Sequence, residues 1–240
     1  MAKYQSKLIE KRELAAGVMA FRFEKPDDFL FKPGQHVDII LEELTDVDER
    51  GAGRDLSIAS APHEPWIEIA TRIGPSRFKQ ALRDLSDGSA VLLKGPGGDF
   101  MLHGDHARSA VFLTGGIGIT PVRSILRNAA HEKLPHRLFL FYANRTLQEA
   151  LYWSDLEKAA VDNPNLTFIG TMTRLPEGVQ SWSGERGRIT KGMVEKYISP
   201  DTAPVFYLTG SESFVKAMRA VAEELGADDI SVRVEEFPGY

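Results

Sequence analysis

Apolar and polar positions along the first hundred residues alternate in short runs. Residues 18–23 mix β-branched and aromatic side chains (Val18, Phe21, Phe23), and residues 37–41 and 66–70 repeat the pattern around Val37, Ile39, Ile67 and Ile69. Pro33-Gly34, Asp87-Gly88 and the run from Gly95 to Gly98 punctuate these strands as turns. One helix interrupts them, with Phe78, Leu82 and Leu85 at helical spacing after Pro75-Ser76. Short strands with a single helix predict a small antiparallel barrel.

The rhythm changes after residue 104. An apolar strand at 110–113 leads into glycines and then a helix whose apolar face is Val122, Ile125, Leu126 and Ala129. Strands at 138–142, 166–169 and 205–208 follow, with a helix near 147–160. A last helix carries Phe214, Met218, Val221, Ala222 and Leu225 on one face and stops at Gly226. Strands alternating with helices predict a doubly wound α/β domain on a parallel sheet. The expected division is therefore a β-barrel over 1–104 and an α/β domain over 105–240, joined in the polar stretch 103–107. No repeat or low-complexity tract breaks the pattern.

The chain has 240 residues, 42% hydrophobic and 26% charged, which suits two ordinary cores. With no cysteine there is no disulfide, thiolate nucleophile or cysteine-held cluster, so redox chemistry has to come from a bound cofactor. A net charge of −5 without a basic stripe argues against nucleic acid as a partner. The first residues lack the apolar run of a signal peptide, and no stretch approaches the ~20 apolar residues of a membrane span. The expectation is a cytoplasmic protein. The six histidines are scattered; His103 and His106 fall near the domain junction and, without a supporting acid motif, read as surface or linker residues, not metal ligands. Gly-x-Ser-x-Gly does not occur.

Three segments carry candidate chemistry. Gly115, Gly116 and Gly118 follow an apolar strand, and Thr120-Pro121 opens the next helix as an N-cap and a first helical residue. Glycines admit a pyrophosphate close to the backbone, and a helix N-terminus supplies N–H groups and a positive dipole end. The third glycine of Gly-x-Gly-x-x-Gly is missing, and a tight turn without a ligand has the same spacing. Arg54 lies near the hydroxyl of Ser57, so the pair can serve an anion and a hydrogen-bond acceptor together. Gly74, Ser76 and Arg77 put small residues and a cation at a helix start, a second anion site by the same physics. A strand Arg in an ion pair and an ordinary helix cap are the plain alternatives.

Taken in order, these segments resemble the ferredoxin–NADP⁺ reductase superfamily over essentially the whole chain. Arg54-Asp55-Leu56-Ser57 is similar to its Arg-x-Tyr-Ser flavin motif, and Gly74-Pro75-Ser76 to its pyrophosphate segment. Gly95 to Phe100 is similar to the turn that closes its barrel, and Gly115 to Pro121 to its nucleotide loop. Thr209-Gly210-Ser211 resembles its Cys-Gly motif, and Val234-Glu235-Glu236-Phe237 its terminal Glu-x-aromatic.

The resemblance implies FAD in the first domain and a nicotinamide dinucleotide in the second. Arg54 would hold the FAD pyrophosphate, with Gly74, Ser76 and Arg77, and Ser57 would hydrogen-bond near flavin N5. Phe237 would cover the flavin ring until nicotinamide displaces it, and Glu235 would sit beside the reacting rings and assist proton traffic or the partner interaction. Leu56 stands where Tyr is usual and would stack aliphatically. Thr209, where Cys is usual, and Gly210 would lie near the nicotinamide. The chain runs on to Tyr240, a second candidate for the stacking ring.

After the second α/β strand there is no acid until Glu149, while Arg145 stands there. Thr173-Arg174 resembles the family's Ser-Arg segment for the 2′-phosphate, and Arg186 is a further candidate. NADP(H) is therefore expected ahead of NAD(H), although Arg145 and Arg174 as surface charges fit the same sequence. The acceptor is expected to be a ferredoxin, a flavodoxin, an oxygenase component or a small molecule. Two rival readings are a non-catalytic FAD-holding subunit of a larger complex and a nucleotide-binding regulatory module.

Overall fold

The computed structural model describes residues 1–49, 51–176, 182–199 and 203–237. The chain divides into two compact units, Met1–Met101 with Thr120–Asn128, and Leu102–Ile119 with Ala129–Tyr240.

In the first unit, strands β1 (Ala2–Ala15), β2 (Val18–Glu24), β3 (His36–Ile40), β4 (Gly53–Ser57), β5 (Trp66–Arg72) and β6 (Ala90–Gly97) form one antiparallel sheet in the order β4-β3-β6-β1-β2-β5. A bridge from Ile58 to Ile69 brings the end of β4 against β5, so the two edge strands meet and the sheet closes as a barrel. Phe21, Phe23, Val37, Ile39, Ile67 and Ile69 fill its interior. Helix α1 (Arg77–Asp84) seals one end with Phe78 and Leu82, and Ser76 caps it by accepting the Lys79 N–H. Strand β1 was not expected. Ser6 and Leu8 are its only buried side chains, and charged residues occupy both faces. It is held instead by backbone pairing, to β6 through residues 2–7 and to β2 beyond Leu8.

The second unit runs β7 (Ala110–Gly115), α2 (Ile119–His131), β8 (Leu138–Asn144), α3 (Trp153–Asp162), β9 (Leu166–Met172), β10 (Glu185–Arg186), α4 (Lys191–Glu195), β11 (Val205–Gly210), α5 (Glu212–Glu224) and β12 (Val232–Glu236), with residues Thr120–Asn128 of α2 grouping with the first unit. All strand pairs are parallel, in the order β10-β9-β8-β7-β11-β12. The chain winds one way from β7 to β10 and then returns to the other side of β7 as β11. A barrel followed by a doubly wound parallel sheet is the fold class the sequence predicts.

Two local expectations change. The helix near 147–160 is a 3₁₀ turn at Leu147–Glu149, ended by the extended backbone of Ala150 (ψ 108°), followed by α3, which starts after the left-handed Tyr152 (φ 56°). Thr120 is not an N-cap. A 3₁₀ turn at Gly116–Gly118 runs directly into α2, which makes Ile119 its first residue. The leading N–H groups of that helical run therefore come from the glycine segment itself.

The surface reading of His103 changes as well, while His106 is exposed as expected. His103 and His136 are buried, and with His106 they form a cluster in the second unit. His103 Nε2 lies 3.2 Å from the Arg108 carbonyl and its Nδ1 3.0 Å from the Tyr207 hydroxyl. His136 Nε2 lies 2.8 Å from the His103 carbonyl and 3.2 Å from His106 Nδ1, while its own Nδ1 is buried without a partner among the described residues. A carbonyl only accepts, so each Nε2 carries a proton. Burial holds both imidazoles below their usual range, and outweighs the hydrogen bonds they donate to the Arg108 and His103 carbonyls. The unfolded chain then takes up protons first as pH falls below about 6.5. Denaturant midpoints are expected to be flat above that pH and to fall below it, and His136→Gln should flatten the fall. An unchanged slope in the variant would assign it to other groups.

Candidate functional site

The sheet order creates one crevice with a physical reason to bind. Strands β8 and β11 leave β7 in opposite directions, and connections at such a switch point splay apart beyond the carboxyl ends of the strands. The glycine turn follows β7 there, and Thr209-Gly210 ends β11 beside it, with Thr209 opposite Thr114. Helix α5 also starts at this point, capped by Ser211, which accepts the Phe214 N–H at 3.4 Å. Two helical runs thus begin at the ends of adjacent strands and present positive dipole ends to an anion.

The turn needs its glycines for stated reasons. Gly116 sits at φ 53°, a backbone that favours glycine. A Cβ on Gly118 would lie 2.6 Å from both the carbonyl carbon and oxygen of Thr209. The Thr209 hydroxyl, fully buried, donates to the Gly118 carbonyl at 3.1 Å. Thr209 therefore fastens the turn to β11, and its oxygen is engaged there.

Tyr142 does the same from β8, donating to the Gly116 carbonyl at 3.0 Å while accepting the Leu151 N–H at 3.0 Å. Burial pushes its hydroxyl far above the usual phenol range, so it remains a donor. Sequence reading placed Tyr142 at the end of a strand and gave it no role. A phenol at the ligand end of an otherwise apolar strand was the available signal. Thr114 Oγ1, at the end of β7, is buried without a partner among the described residues. An orphaned buried hydroxyl, offered N–H groups and a turn free of side chains at Gly115, Gly116 and Gly118 fit a dinucleotide phosphate. Thr120 is buried in the first turn of α2, and Pro121 follows it.

Arginines line the far side of this sheet end. The Arg174 N–H donates to the Arg145 carbonyl at 2.9 Å, which places the two residues side by side just past β8 and β9. Arg186 sits on β10 in register with Met172. All three side chains are exposed. Strand β12 brings Glu235 opposite Thr209, and the Phe237 N–H donates to the Gly210 carbonyl at 3.0 Å. Tyr240 lies outside the described residues.

In the first unit, Arg54 and the start of α1 come together. The Arg54 guanidinium stands over the Phe78 ring, 5.2 Å from its centroid, and donates to the Gly51 and Gly53 carbonyls and to Asp48. Arg77 pairs with Asp46 at 3.1 Å, with both side chains exposed. Gly74 and Ser76 flank Pro75 at the mouth of α1. Both cations are thus engaged with carboxylates, the ion-pair alternative that the sequence left open, and the pyrophosphate of FAD would have to take the place of Asp48 and Asp46 on them. Leu56 packs partly against the barrel core, and Ser57 is buried opposite His36.

Known proteins agree with this geometry. The family described as Oxidoreductase NAD-binding domain matches residues 112–220. A ferredoxin–NADP reductase B of Sorangium cellulosum is 30% identical over 98% of this chain and 97% of its own. One component of the Na⁺-translocating NADH-quinone reductase of Klebsiella pneumoniae is also 30% identical, over 78% of this chain but only 49% of that protein. Among solved structures, a ferredoxin NADP⁺ reductase from Neisseria gonorrhoeae with bound FAD and NADP superposes with a TM-score of 0.79 at 17% identity, covering 98% of both chains. This chain belongs to the ferredoxin–NADP⁺ reductase superfamily and is an NAD(P)H-dependent flavin oxidoreductase of that type.

Proposed function

We propose that this protein binds NADPH at residues 115–121 of the second domain (105–240), binds FAD in the first (1–104), and delivers electrons to a separate acceptor. The observation that carries the reading is the glycine turn at the β7/β11 switch point, tied down by Tyr142 and Thr209. FAD, when bound, supplies the ability to accept a hydride and release electrons singly or in pairs. The protein's own work is binding and orientation. Arg54, Arg77 and the Gly74–Ser76 turn neutralise the FAD diphosphate, and Ser57 offers a hydrogen bond to the flavin. Glu235 handles the proton, and Phe237 or Tyr240 supplies the covering ring. The acceptor is a ferredoxin, a flavodoxin, an oxygenase component or a small molecule, since a cysteine-free chain carries no cluster of its own.

Purified protein supplemented with FAD should show a flavin spectrum. Failure to bind FAD would remove the proposal. A flavin reduced by dithionite but by neither coenzyme would favour the electron-transfer-subunit reading.

Coenzyme choice rests on Arg145 and Arg174, with Arg186 as a third cation. Arg174→Ala is expected to weaken NADPH by about 1–3 kcal/mol, the range of a charge-assisted hydrogen bond, and to leave NADH nearly unchanged. Equal losses for both coenzymes in a titration would remove Arg174 from the 2′-phosphate.

A further inference from the structure

The segment just past Ser57 is clamped by a buried ion pair from α2. Arg123 and Glu64 are both buried, 59 residues apart in sequence. Arg123 Nη1 donates to Glu64 Oε2 at 3.0 Å and to the Ala59 carbonyl at 2.7 Å, and Nη2 donates to Oε1 at 3.3 Å. Glu64 also accepts the Ala61 N–H at 2.7 Å. One residue along α2, the Ser124 hydroxyl donates to the Ser60 carbonyl at 2.6 Å. Residues 59–64 and Thr120–Asn128 lie in the same compact unit.

Burial alone raises the Glu64 carboxyl. The charge and hydrogen bonds of Arg123 more than reverse this and hold it below its usual range, so the pair is ionised. A buried ion pair is a poor source of stability compared with apolar packing, and fixing one register is its best-attested use. Here the register matters at both ends. The strand side leads back through Ile58 to Ser57. The helix side leads back through Thr120 to the glycine turn. A guanidinium fork that grips two carboxylate oxygens and a carbonyl at once sets orientation as well as distance.

We infer that Arg123 and Glu64 are positioning residues for hydride transfer, holding the Ser57 strand end to the helix that leads out of the dinucleotide turn. The inference rests on the proposed function, so wild-type protein is tested first: no reduction by NADPH would defeat that function and not the clamp.

Given reduction, Arg123→Lys and Glu64→Gln are compared with wild type by anaerobic stopped flow. The limiting rate of flavin reduction is expected to fall more than about tenfold, as misplacement of reacting groups by an ångström can cost up to about 10²-fold. FAD affinity, the saturating NADPH concentration and the flavin midpoint potential should stay close to wild type, which a general loss of structure would not allow. Lysine keeps the charge but not the fork, so its failure to rescue identifies orientation as the cause. Should both variants fold poorly, Ser124→Ala removes one strut of the same clamp and should lower the same limiting rate. A wild-type limiting rate in any folded, FAD-loaded variant, or a rate loss that merely follows FAD loss, overturns the assignment.

Discussion

Gly118→Ala is expected to slow reduction by NADPH about a hundredfold and to leave FAD in place. The added methyl would sit 2.6 Å from the Thr209 carbonyl atoms and 2.7 Å from the Gly210 nitrogen, so main chain and not a flexible side chain has to yield. Overpacking of this kind costs about 1–3 kcal/mol. Relief comes most easily by lifting the turn off β11, which breaks the Thr209–Gly118 hydrogen bond and moves the N–H groups proposed to receive phosphate. A loss of about 10²-fold in the NADPH-driven rate is expected. FAD content and dithionite reduction should match wild type, since the flavin residues proposed in the first unit are untouched. Near-normal turnover in this variant would place the dinucleotide elsewhere.

A large stability effect is expected at Glu68. This carboxylate is fully buried in the barrel, 2.6 Å from Arg22 Nε and 3.2 Å from Arg12 Nη2. Arg22 in turn lies over the Trp66 ring and pairs with Glu10 at 2.8 Å. Removing one partner of a buried pair costs about 3–5 kcal/mol. Arg12 and Arg22 retain 37% and 21% side-chain exposure, so water recovers part of that cost. The expectation for Glu68→Ala is about 3 kcal/mol in a urea denaturation. A loss under about 1 kcal/mol would mean the pair is solvated like a surface bridge.

Both halves of the fold were legible because their patterns differ in period. Phe21, Phe23, Ile67 and Ile69 alternate as strand residues do, and Val122, Ile125 and Leu126 recur as helix residues do. Strand β1 was hidden because its pairing is backbone work with little apolar alternation. Helix α4 was hidden because five residues are too few to show a period.

At the site, the glycine turn, Arg54 and the α1 cap were readable as local strings. What supports them was not. Tyr142 reaches Gly116 from a neighbouring strand, Thr209 reaches Gly118 across 91 residues, and Arg123 meets Glu64 across 59. The histidine cluster escaped for the same reason: His103 and His136 are separated in sequence and meet only when β7 and β8 pair. Long-range partners of this kind leave no periodic trace in a single chain.

The central claim is that hydride moves from the nicotinamide held at the glycine turn to FAD. Anaerobic single-turnover mixing of the FAD-loaded protein with NADPH, protiated or deuterated at C4, tests it directly. The account predicts that the flavin absorbance bleaches within the mixing experiment, and that deuterium on one of the two C4 faces slows the bleaching. A flavin that stays oxidised with both NADPH and NADH, yet bleaches with dithionite, would contradict it.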